Sequence, residues 1–136
     1  MADKVRLDRR YDWVGPPDSV SKIRHIKLRR VDGESAEEAV YREQREALNE
    51  WNSKFWAEHN RLFDARKMQF VEKRKSEISR VESVSAADMS GFYKEFLNER
   101  RQALTDYNRE WCSRNLSLIW PALRVNVHRF VRFLKR

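Results

Sequence analysis

Between Gly33 and Gly91 the chain contains neither glycine nor proline, and no other feature limits its fold so sharply. The run is entered through Ser35-Ala36-Glu37-Glu38, an S-x-x-E capping box with acids in the first turn, where the helix dipole favours them. Leu48, Trp51, Phe55 and Leu62 then recur at helical intervals, and Trp56, Phe63 and Phe70 widen the stripe every seven residues. The spacing predicts one helix over about 36–75, roughly 60 Å long at 1.5 Å per residue. A helix of that length with a single apolar stripe needs a partner alongside it.

The next segment supplies one. Residues 76–85 are rich in serine and β-branched side chains and read as a connection, although the first half can continue the helix. Ser85 reads as an N-cap with Asp88 three residues on. Met89, Phe92, Phe96, Leu104, Tyr107, Trp111 and Leu118 trace one face of a second helix expected to run to about Trp120. Two long helices with a short link lie antiparallel. The expected fold is therefore all-α, an elongated hairpin whose seam is Trp51, Phe55, Trp56, Phe92, Phe96, Tyr107 and Trp111. Residues 1–34 are expected as an extended basic arm, and 35–136 as a single helical domain.

Pro121 marks a break, either a kink or the first turn of a new helix. Beyond it Leu123, Val127, Phe130, Val131 and Leu134 form an apolar face, with Arg124, His128, Arg129, Arg132, Lys135 and Arg136 on the remaining arc. Such a basic amphipathic helix has two uses. It can lie on an anionic membrane or acidic protein surface, with the arginines, Lys135 and Arg136 as contacts. Alternatively its apolar face closes the end of the hairpin.

Charge follows the same division. Residues 1–30 hold nine Lys or Arg against four Asp, 31–110 fourteen against seventeen acids, and 111–136 six bases and no acid. The balanced middle is a solvated, ion-paired body, and the basic ends point to a polyanionic neighbour, either nucleic acid or anionic lipid. With hydrophobic residues at 40% and charged ones at 37%, the apolar seam must be narrow.

Enzymatic chemistry finds little support. There is no glycine-rich phosphate loop, no G-x-S-x-G, no H-E-x-x-H and no C-x-x-C. Cys112 has no cysteine partner within the chain, so no internal disulfide forms. Cys112, His59 and His128 are of the type that ligates haem iron, and Arg109 and Arg114 beside Cys112 would favour its thiolate. No apolar run is long enough to span a bilayer. Residues 1–10 match neither a signal peptide nor an organelle presequence. RNA contact has the basic ends in its favour, but the aromatics sit at core spacing, which counts against a nucleic-acid partner.

The arm contains Tyr11-Asp12-Trp13-Val14-Gly15-Pro16-Pro17-Asp18, with two of the three prolines in the chain. Both prolines fix their own φ and bias the residue before them to extended geometry, so this is a stiff strap. Trp13 either plugs the arm onto the helices or presents the strap to a partner. The segment Trp13-x-Gly15-Pro16-Pro17-Asp18 is followed by Glu50-Trp51-Asn52, Phe55-Trp56-Ala57, Phe92-Tyr93-Lys94-Glu95-Phe96-Leu97, Tyr107-Asn108-Arg109, Trp111 and Arg114-Asn115. In this order, over about 11–115, the chain resembles the cytochrome c oxidase assembly factor 8 family, also called the apoptogenic protein 1 family. The resemblance implies a mitochondrial matrix protein imported by a cleaved presequence and held peripherally at the inner membrane. It also implies a role in assembly or protection of respiratory complex IV, with complex IV subunits or intermediates as partners, and an association with cytochrome c release in apoptosis. No catalytic residues come with it. A haem-binding carrier in complex IV biogenesis and an RNA-contacting component of a mitochondrial particle are the alternatives.

Overall fold

The computed structural model describes residues 8–78 and 82–136. In chain order the elements are β1 (Trp13–Pro17), β2 (Arg24–Lys27), α1 (Ala36–Glu77), α2 (Ala86–Glu99), α3 (Arg101–Ser117) and α4 (Ile119–Leu134). The chain is mostly helical, but the expectation of an all-α fold omits a small antiparallel sheet in the arm.

The expected capping box opens α1. Ser35 Oγ accepts from the Glu38 N–H at 3.2 Å, and Glu38 Oε2 accepts from the Ser35 N–H at 2.9 Å. Each bond satisfies an amide that the first turn would otherwise leave without a partner. The same reciprocal box forms between Ser85 and Asp88 at the start of α2. Arg74 near the end of α1 reaches Asp88 at 3.3 Å, tying the two sides of the connection together. Residues 79–81 of that connection lie outside the described residues.

The second long helix is not continuous. It divides at Arg100 and again at Leu118, both of which keep φ near −87° with ψ close to zero. The first division falls in Asn98-Glu99-Arg100-Arg101, a polar run in which no apolar side chain holds the segment to α1. There Arg100 turns its Nε toward His59 Nδ1 of α1, at 3.5 Å. At the second division α4 begins at Ile119, so Pro121 is its third residue. A first-turn position has no intrahelical acceptor for an N–H, and proline loses nothing there.

Contacts between α1 and the returning segments run in opposite order. Phe70 meets Phe92 with ring centroids 5.1 Å apart, Phe63 meets Phe96 at 5.2 Å, and Phe55 stacks on Tyr107 at 4.0 Å. At the far end Glu38 meets Arg132 at 2.8 Å. The core is thin. Among the described residues the buried apolar side chains are Phe92, Phe96, Tyr107 and Val125.

The arm folds back on itself rather than running extended throughout. β1 and β2 pair as Trp13 with Lys27, Val14 with Ile26 and Pro17 with Arg24, so Gly15 and Pro16 together oppose His25 in a bulge. In a two-stranded sheet both strands are edges, and a bulge accommodates residues that cannot donate to the ladder. The Asp18 carboxylate organises the turn, with Oδ1 accepting the N–H groups of Ser21 at 2.7 Å and Val20 at 3.0 Å. Those backbone donors hold its pKa below the ordinary value.

Candidate functional site

Three surfaces carry the residues singled out by sequence. The first is the strap. Trp13 is half-buried and its indole lies over Gly15, so closely that a Cβ on Gly15 would sit 2.5 Å from Cη2. The glycine is required for this approach, not for its φ. Gly15→Ala is expected to force the indole off the strand and destabilise the protein by about 1–3 kcal/mol, measured as a fall in Tm. Pro16 and Pro17 are exposed, and Asp18 is occupied by the turn.

What fastens the arm to α1 is a polar row that the sequence reading missed. Asn60 Nδ2 donates to the Val20 carbonyl at 2.7 Å, and Ser53 Oγ lies 2.9 Å from Ser21 Oγ with both residues buried. Asn49 brackets β2, accepting from the Ile26 N–H and donating to the Arg24 carbonyl. Glu46 takes the Leu28 N–H at 3.0 Å and pairs with Lys27 at 3.2 Å. The positions 46, 49, 53 and 60 share one face of α1, and that spacing was the available signal. An edge strand needs partners for its backbone, and short polar side chains at helical intervals provide them.

The second surface is the aromatic seam. Tyr107 is its centre, stacked between Phe55 at 4.0 Å and Trp51 at 5.2 Å. Its hydroxyl accepts from Trp56 Nε1 at 3.0 Å and donates to Asn52 Oδ1. The polar tip of a buried tyrosine is thereby satisfied. Phe92 and Phe96 continue the seam toward the connection, against Phe63 and Phe70. Trp111 departs from the expectation, being 42% exposed. The Arg114 guanidinium lies 4.6 Å from the centre of the Trp51 ring, a cation–π contact at the edge of the seam.

The residues considered for haem lie in different environments. His59 is buried between Phe55, Trp56 and Phe96. Burial, then the nearby Arg100 charge, lowers its pKa, so it is neutral and faces Arg100 through Nδ1. His128 Nε2 is 2.7 Å from Glu37 on the opposite end of α1, and Cys112 is exposed. Among the described residues no three His, Cys, Asp or Glu side chains group as metal ligands.

The third surface is α4, and the expectation that its apolar face closes the hairpin needs correction. Its apolar face does not close the end of the helical body. Val125, 1% exposed, is the residue that α4 buries, whereas Leu123, Val127, Phe130 and Leu134 are each more than half exposed. The basic arc is partly engaged by α1, although Arg124, His128 and Arg129 stay exposed. Arg132 pairs with Glu38 at 2.8 Å, Arg129 approaches Glu38 at 3.8 Å, and Arg124 and His128 approach Glu37. The acids that open α1 attract the bases, and this turns the apolar face to solvent. Lys135 and Arg136 remain exposed at the tip.

Outward exposure extends back into α3. Leu116, Trp120, Leu123, Val127, Phe130 and Leu134 alternate spacings of four and three, and each is more than half exposed. Together they form an exposed apolar stripe along one side of the molecule. Among the described residues no helix is long and apolar enough to cross a membrane.

A clasped arm, a thin aromatic seam and a helix with an outward apolar face characterise this mostly helical protein. The sequence model of cytochrome c oxidase assembly factor 8 matches residues 11–131, and the chain belongs to that family. A mitochondrial member from Caenorhabditis briggsae is 62% identical over 99% of this chain and 95% of its own length. The corresponding Caenorhabditis elegans protein is 60% identical with the same coverage. Human cytochrome c oxidase assembly factor 8 is 33% identical over 93% of this chain, which spans 65% of the human protein. No solved structure matches.

Proposed function

We propose that this protein supports assembly or protection of complex IV without catalysing a reaction, acting by contact at the matrix face of the mitochondrial inner membrane. The observation that carries the complex IV assignment is the family match over residues 11–131. The outward stripe on α3 and α4 is the contact element. On this reading Leu123, Val127 and Phe130 enter the membrane interface, while Lys135 and Arg136 meet anionic headgroups. Arg124, Arg129 and Arg132 serve mainly to hold α4 in the orientation that presents the stripe. Burial of apolar area supplies most of the binding, with roughly 1 kcal/mol from each basic residue near the surface.

The test pairs two measurements on one variant, Leu123→Ser/Val127→Ser/Phe130→Ser. All three side chains are exposed, so the helical body is expected to survive. Sedimentation with cardiolipin-containing vesicles is expected to fall about tenfold or more, and complex IV activity in cells lacking the endogenous protein is expected to stay unrestored. Full restoration of complex IV by this variant would rule out the stripe as the working surface.

A further inference from the structure

The arm, the beginning of α1 and α4 meet around a cleft of about 200 Å³ whose polar lining is unbalanced in one direction. Its carboxylates are engaged. Both Glu34 oxygens accept from Arg42, at 2.9 and 3.2 Å. Both Glu38 oxygens accept from Arg132, and one also takes the Ser35 N–H. Asp12 Oδ1 accepts the backbone N–H of Arg29 at 2.8 Å.

Its donors are engaged only in part, and Arg45 rests over the Tyr41 ring with its guanidinium carbon 5.9 Å from the centroid. Among the described residues the guanidinium groups of Arg29 and Arg45 have no carboxylate within 4 Å, although both line the cleft. Arg42, with its side chain 9% exposed, commits Nε and Nη2 to Glu34 and keeps Nη1 in reserve. Arg129 comes no closer than 3.8 Å to Glu38. Tyr41 and Asn126 also line the cleft. Four arginines thus face three carboxylates, and Arg132 adds positive charge behind Glu38.

We propose that this cleft binds a phosphate-type oxyanion, contacted by Arg29 from the arm, Arg42 and Arg45 from α1, and Arg129 from α4. Donors converging from three elements suit a tetrahedral anion with several acceptor oxygens, and guanidinium forks match phosphate geometry. Partial enclosure reduces screening by solvent, which strengthens each contact. Such a ligand cross-links the arm, α1 and α4, so its binding also secures α4 in place. The phosphate is either a soluble one or the headgroup of a lipid. This inference stands apart from the role given to the apolar stripe, whose serine variant keeps the cleft intact.

Calorimetric titration with inorganic phosphate, at ionic strength matched with sodium chloride, is the first arm of the test. Sedimentation with phosphatidylcholine vesicles carrying phosphatidic acid is the second. The test variant is Arg29→Gln/Arg45→Gln, in which both side chains are exposed, and the control is the equally exposed Arg101→Gln on α3. Saturable phosphate binding that weakens about tenfold in the double variant and not in the control identifies a soluble oxyanion site. The same loss seen with vesicles alone identifies a headgroup site. Absence of saturable binding in both arms, or equal binding by the double variant and the control, overturns the proposal.

Discussion

Phe96→Ala is expected to lower stability by about 3–5 kcal/mol, the range for removing a buried aromatic ring, and Tm by roughly 10 °C or more. Phe96 is 4% exposed and joins α2 to α1 through Phe63 at 5.2 Å and His59 at 5.4 Å. No second layer of apolar side chains lies behind it to collapse into the space. In a thin seam the surroundings relax little, so the cost falls toward the upper end. Phe133→Ala is the contrast, since that ring is 74% exposed and its loss is expected to cost under about 0.5 kcal/mol. Urea titration of both variants checks the pair. Similar losses at the two positions would mean that the seam is not what holds the helices together.

Glu38→Gln is expected to cost about 2–3 kcal/mol and to loosen α4 selectively. Glu38 is 3% exposed and joins two jobs, closing the capping box of α1 and receiving Arg132 and Arg129 from α4. Glutamine can keep the cap but not the charge, leaving two arginines beside each other without their counter-ion. Removing one partner of a buried pair commonly costs about 3–5 kcal/mol, and partial exposure of both arginines lowers that figure. Limited proteolysis is expected to cut first near Leu118, where α3 gives way to α4.

The same residue sets a pH dependence. Burial pushes the Glu38 carboxyl up, but hydrogen bonds from Arg132 and Ser35, with the Arg132 charge, together outweigh it and leave its pKa below 4.5. A carboxyl depressed in the folded state contributes stability that is present above its unfolded pKa and lost as pH falls through the folded value. Tm of the unmodified protein is therefore expected to fall more steeply below pH 4.5 than that of Glu38→Gln.

Much of the helical body was legible from local rules. The two capping boxes and the interval between Gly33 and Gly91 placed α1 within a few residues, and the ring spacing located Phe92, Phe96 and Tyr107. What escaped depends on tertiary choice. The break at Arg100 has no glycine or proline to announce it and arises where apolar anchors to α1 lapse. Trp111 had the right spacing for the seam but is 42% exposed, and spacing alone does not separate a seam residue from one at its margin. The hydrophobic pattern of α4 was read correctly as one-sided. Its direction stayed open between docking on the hairpin and facing outward, because Glu37 and Glu38 at the start of α1 draw Arg132 and its neighbours toward them, and periodicity carries no information about that. The β1–β2 pairing was hidden by Pro16 and Pro17, which argue against a strand unless a bulge accommodates them.

The opposed order of contacts along α1 also fixes a sequence of events. Phe70 and Phe92 are 22 positions apart, Phe55 and Tyr107 are 52, and Glu38 and Arg132 are 94. The entropy of closing a chain loop rises with its length, so assembly is expected to begin beside the connection and zip outward. Each ring pair formed shortens the open loop that the next must close. Docking of α4 comes last and is reversed first, making the end that bears the apolar stripe the one most readily remodelled without unfolding the rest.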